Sequence, residues 1–254
     1  MKTNFLKSAP IFLAFLIMGF GDVAGPLTSQ LQNDFMLSNF QAGLVTFMAF
    51  IMFGLLSIPM GLYQDRKGRK HVLLLGLFAA LMVLGIFLYV GSEVSMSAKL
   101  PNYLSEKFNL DIKERGLLGT MFFFISLTTG RFLGGVILNW LAPKKFLIIT
   151  AIVSLFGIAG MYVAPSELIA IIFIFIIGLG FANVFPLIFS ITVDTMPERS
   201  NEISGLMVTA ILGGALVPIL TGGVADLFGL MAGFLVPAAC LTYILIIALK
   251  PAKA

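Results

Sequence analysis

Apolar residues in this chain do not alternate with polar ones. They run together in long stretches near 9–31, 40–63, 71–104, 116–141, 146–164, 168–192, 203–225 and 229–249, each closed by a short polar segment. Crossing about 30 Å of hydrocarbon takes about 20 helical residues, so each stretch predicts a membrane-spanning helix. A closed sheet is the other structure that satisfies its backbone in lipid, but it would alternate in polarity over about ten residues. The predicted fold class is therefore all-α integral membrane, a bundle of about eight transmembrane helices. One stretch is abnormal. As a single helix, 71–104 would be about 51 Å long at 1.5 Å per residue, with Gly85, Gly91 and Pro101 as points where it could bend or end.

Composition agrees with a lipid-facing surface. The 254 residues are 59% hydrophobic and 11% charged, against about 25% charged in a soluble domain. The formal net charge of +4 does not point to nucleic acid, because the basic residues sit in short loops beside the apolar runs, the positive-inside pattern. Lys2 and Lys7 before an apolar core imitate a secretory signal, yet Asp22 interrupts the end of that core and no clear small-residue cleavage pattern follows. The segment reads as the first span. An even number of spans puts both termini on one side, together with Lys2, Lys7, Arg66, Lys67, Arg69, Lys70, Lys144, Lys145, Arg199, Lys250 and Lys253. The opposite loops hold Lys107, Lys113 and Arg115, so both termini are expected in the cytoplasm. A single cysteine, Cys240, allows no intrachain disulfide.

Between the second and third stretches lies Gly61-Leu-Tyr-Gln-Asp65-Arg66-Lys67-Gly68-Arg69-Lys70. It reads G-x-x-x-D-R-x-G-R-K and resembles the cytoplasmic signature of the major facilitator superfamily. Gly61 permits close helix packing and Gly68 a turn that other residues resist. Asp65 can accept hydrogen bonds at a helix N-terminus, where the dipole favours an anion. Arg66 and Arg69 can clamp carboxylates across a bundle, although a basic inner loop is also what any membrane protein carries. A looser echo, Gly130-Arg131-Phe-Leu-Gly134-Gly135 followed by Pro143-Lys144-Lys145, fits a transporter built from two related halves.

Ionisable groups inside the apolar runs are Asp22, Glu93, Lys99 and Arg131. Each is costly in lipid unless it faces a cavity or a partner, and such groups mark substrate or proton pathways. Asp22 and Glu93 are candidates for coupling a proton or contacting substrate, with a structural interhelical acceptor as the plainer reading. Lys99, near the outer interface, is a further candidate that could instead snorkel. Arg131 reads as a structural clamp. Asn102, Thr120, Thr128, Asn183 and Thr209 are uncharged groups that could read a small polar solute or bond helix to helix. Asn183 is the strongest of them, because Gly178, Gly180 and Pro186 around it could break its helix. The one histidine, His71, lies in a loop region, so neither a histidine metal site nor a Ser-His triad has material. No phosphate-binding G-x-x-x-x-G-K-S/T loop is present. The sequence thus suggests no enzyme, no metal and no cofactor.

Longer stretches resemble the fucose-permease and glucose/galactose-permease branch of the superfamily. They are Ser38 to Leu44, Tyr89 to Val94, Gly130-Arg131-Phe132 with Leu141 to Lys144, Phe185 to Ser190, and Ile211 to Gly214 with Pro218. That branch has twelve spans. Laid against it, this chain resembles helices one, two and the start of three, then seven to twelve, with a join near residues 78–86. The resemblance implies a remnant of the N-terminal half over 1–82 and a six-helix C-terminal half over 83–254. It further implies a proton-coupled sugar symporter of a bacterial inner membrane, taking a monosaccharide and a proton, with two halves rocking about a central site. The alternative is a non-transporting or partner-dependent chain, because a bundle short of four helices exposes faces that favour a homodimer.

Overall fold

The computed structural model describes residues 32, 35–44, 47, 51, 72–111, 117–197 and 200–250. The first predicted span, most of the second, Asp22 and the motif from Gly61 to Lys70 lie outside the described residues. From Val72 onward the helices are α1 Val72–Phe108, α2 Leu117–Ile137, α3 Pro143–Val163, α4 Glu167–Phe181, α5 Val184–Thr195, α6 Ser200–Thr209, α7 Gly213–Phe228, α8 Leu230–Gly233 and α9 Leu235–Leu249, with a 3-10 turn at Ala210–Leu212 between α6 and α7. Among the described residues they form six stretches long and apolar enough to cross a bilayer: Ala79–Phe108, Leu117–Ile137, Pro143–Val163, Glu167–Thr195, Ile203–Phe228 and Leu230–Leu249. These correspond to the last six apolar runs of the sequence.

The abnormal third run is one helix. α1 has 37 residues, about 55 Å of helix, and passes without a break through the expected join and through Gly85, Gly91 and Pro101. Proline lacks an N–H and so deprives the carbonyl four residues earlier of its helical bond. Here that carbonyl belongs to Ser97, and the buried Thr120 hydroxyl of α2 donates to it at 2.9 Å. A neighbouring helix supplies the donor that Pro101 cannot, and α1 continues to Phe108.

α1 is also the centre of the bundle. Every residue from Tyr89 to Leu104 is buried, and α2, α5, α7 and α9 all pack against this helix. α7 approaches it backbone to backbone: a Cβ at Gly213 would stand 1.8 Å from the Phe87 carbonyl oxygen. α3 packs on the outside, against α4, α5 and α9. Its carboxyl end is capped from α1, where Lys107 Nζ donates to the carbonyls of Met161 and Tyr162 at 2.7 and 2.9 Å and the Tyr103 hydroxyl donates to Met161 at 2.7 Å. A cation there complements the negative end of the helix dipole.

Two predicted runs are interrupted. The run 168–192 breaks at Ala182 and Asn183 into α4 and α5, and 203–225 is divided by the 3-10 turn. Large apolar side chains such as Phe132, Phe156, Leu220 and Leu249 point outward, the inversion expected where lipid is the solvent.

Candidate functional site

Glu93 lies midway along the first described span, about 21 Å from Ala79 and about 22 Å from Phe108 along the axis at 1.5 Å per residue. Its carboxylate is buried, and Oε1 accepts from Arg131 Nη2 of α2 at 3.1 Å. The Arg131 side chain keeps 35% of its surface exposed while that of Glu93 keeps 5%. One partner of the pair is therefore sealed in the bundle and the other reaches accessible space. One helical turn before Glu93, Tyr89 packs its ring against Phe181 and Phe185, with centroids 5.8 and 6.5 Å away. The ion pair and this aromatic cluster thus lie one helical turn apart along α1.

A second polar group lies nearer the carboxyl end of α1. Lys99 is buried, and its ammonium donates to Asn39 Oδ1. Asn39 Oδ1 also accepts from Gln32 Nε2 at 3.0 Å, and Gln32 Oε1 accepts from Asn102 Nδ2 at 3.2 Å. Asn102 Oδ1 is buried and has no hydrogen-bond partner among the described residues. Lys99 and Asn102, singled out on α1, are brought together here, while Gln32 and Asn39 complete the cluster from the N-terminal segment. Neither of these amides was legible as a site residue. The available signal was a polar segment immediately ahead of the second apolar run.

The remaining candidates are placed apart. Asn183, at the break between α4 and α5, donates from Nδ2 to the Gly130 carbonyl at 2.7 Å, and its amide lies against Gly134. It holds α2 next to Arg131. Thr120 serves Ser97, Thr128 is exposed, and the Thr209 hydroxyl bonds the Gly205 carbonyl within its own helix. Asp22, Gly61, Asp65, Arg66, Gly68, Arg69 and Lys70 lie outside the described residues.

Six apolar helical spans among the described residues, around a polar, ion-paired interior, define a multi-pass membrane protein of the transporter class. Residues 81–253 match the Major Facilitator Superfamily, and the chain belongs to that family, one of transporters and not of enzymes. It is 33% identical over 162 residues to a glucose/galactose transporter of Brucella abortus, covering 63% of this chain and 39% of that protein. It is 34% identical over 175 residues to a putative glucose/galactose transporter of Helicobacter pylori, covering 67% of this chain and 42% of that one. The L-fucose-proton symporter of Escherichia coli is 28% identical over 171 residues, covering 65% of this chain and 38% of that protein. The chain thus spans about two fifths of the length of these curated relatives. The fold is similar to a crystal structure of the Major Facilitator Superfamily transporter FucP in the outward conformation, at a TM-score of 0.63 and 23% identity, covering 74% of this chain and 44% of that one.

Proposed function

We propose that this chain carries a monosaccharide across a bacterial inner membrane by proton symport, with alternating access to a site at the middle of α1 and with both termini in the cytoplasm. The observation that carries the reading is the Glu93–Arg131 pair, a sealed carboxylate held by an arginine whose side chain stays 35% exposed, at mid-span depth, where transporter sites lie. Protonating Glu93 removes the charge that holds Arg131 and frees guanidinium donors for solute hydroxyls. Losing the proton restores the pair and expels the solute. Asp22 of the first predicted span is a second proton carrier, Asn102 and Lys99 contact the solute toward the outer end, and Asn183 positions Arg131 through the Gly130 carbonyl. The names of the relatives, glucose/galactose transporters and a fucose–proton symporter, support both the solute class and the coupling ion. The segment 1–82 acts as what remains of one lobe against the six-helix lobe of 83–254, with Gly61, Asp65, Arg66, Gly68, Arg69 and Lys70 closing the cytoplasmic end.

In proteoliposomes containing this chain alone, an inward proton gradient drives accumulation of labelled galactose well above the gradient-free control. Glu93→Gln abolishes the accumulation and leaves gradient-independent exchange. Uptake that is equal with and without the gradient rejects the coupling. A second reading, a non-transporting chain or one that works only with a partner such as a second copy, is favoured by one observation. The apolar stretch of α2 is 33% buried, where the other five spans are 44–67% buried, which leaves room for a neighbour against it. No uptake by the monomer, with uptake restored on dimerisation, selects that reading.

A further inference from the structure

At the outer end of the bundle, a helix start in the N-terminal segment has every one of its first amides partnered. Ser38 immediately precedes the helical segment 39–44 as its N-cap, and a helix leaves its first N–H groups without intrahelical partners. Ser38 Oγ accepts from the Gln41 amide at 3.2 Å, and Gln41 Oε1 accepts from the Ser38 amide at 2.9 Å, a reciprocal capping box. The two donors left over, the amides of Asn39 and Phe40, are both taken by one side chain from the far end of the sequence. Asp226, near the carboxyl end of α7, accepts from Asn39 N at 2.8 Å with Oδ1 and from Phe40 N at 2.7 Å with Oδ2. A bidentate carboxylate on a helix N-terminus gains from charge, from geometry and from the dipole together.

The backbones are fitted to this contact. A Cβ on Gly222 would stand 2.3 Å from the Asn39 carbonyl oxygen, and one on Gly43 would stand 3.0 Å from Ile219 Cα. The side chain of Asn39 is held at the same time by Lys99 of α1 and by Gln32. Helix α7 is in turn tied to α1 by the Thr221 hydroxyl, which donates to Ser95 Oγ at 3.1 Å. One turn of chain at residues 38–41 therefore joins the N-terminal segment to both α1 and α7. By the charge pattern of the loops, this end is the one opposite the Gly61–Lys70 motif.

We propose that Asp226 is the latch of the outer gate. In the closed arrangement its carboxylate caps the helix that starts at Asn39, and opening the outer pathway requires the Asn39 and Phe40 amides to exchange that carboxylate for water. The inference deepens the transport reading and rests on it, but its test reads accessibility and not transport. The reporter is Ala42→Cys, a fully buried position, in a Cys240→Ala background, labelled from outside with a membrane-impermeant maleimide in right-side-out vesicles. Asp226→Asn, which keeps the shape and removes the charge, raises the labelling rate about tenfold by shifting the population toward the open end. Labelling of Asp226→Asn at the parent rate overturns the latch. Should the variant fail to fold, hydrogen–deuterium exchange on the unsubstituted chain in nanodiscs decides instead. The Asn39 and Phe40 amides are protected relative to a free peptide of residues 32–44, and exchange at the free-peptide rate overturns the proposal. A chain that carries no sugar but shows both signatures would sink the transport reading and leave the latch standing.

Discussion

At the scale of single residues, Thr120 makes a prediction that transport does not enter. Its hydroxyl is the partner that the Ser97 carbonyl has in place of the N–H missing from Pro101. Thr120→Val leaves that buried carbonyl unsatisfied and costs about 1–3 kcal/mol, measured as a lowered thermal midpoint in detergent, while Thr120→Ser retains most of the stability. Equal midpoints for the valine and parent proteins would remove the account of how α1 survives its proline. The same residue marks how far the sequence could be read. Thr120 stood out as a hydroxyl in an apolar run, for which helix-to-helix bonding was a better explanation than solute binding. Its partner lies 23 positions away on another helix, and no local pattern carries that pairing. Glu93 and Arg131 were each legible, because a charge in lipid is conspicuous, but their meeting was not.

At the scale of elements, run length and polarity were enough for the last six spans, since a bilayer imposes its own ruler. The interruptions were harder. Asn183 flanked by Gly178, Gly180 and Pro186 did mark a break, and α4 ends at Phe181. Only the folded chain reveals that the Asn183 amide ties this break to Gly130 on α2. Asn183→Ala therefore loosens α2 by about 1 kcal/mol, in the range of interhelical polar contacts in membranes, and displaces Arg131. The expected kinetic result is a raised KM for sugar with a smaller change in maximal rate. An unchanged KM would assign Asn183 to stability only. The contact at Gly213 admits no side chain, and Gly213→Val forces α7 off the Phe87 backbone. Overpacking of this kind costs about 1–3 kcal/mol or more, read as loss of the monodisperse peak in size-exclusion chromatography. A stable, monodisperse variant would contradict that packing.

At the scale of the whole molecule, the question is whether 254 residues that span about two fifths of their curated relatives suffice for a transport cycle. The polar stripe of α1 faces neighbours that are present: Arg131 from α2, Thr221 from α7, and Asn39 and Gln32 from the N-terminal segment. A carrier needs a central site and a gate at each end, and the described residues contain a candidate for the site and for one gate. The most direct measurement is counterflow of labelled galactose in liposomes that contain this chain and no other protein. The account predicts saturable, transient accumulation against an unlabelled internal pool, with the tracer returning to equilibrium as that pool drains. Flux indistinguishable from that of empty liposomes, from protein shown to be folded and inserted, would contradict it.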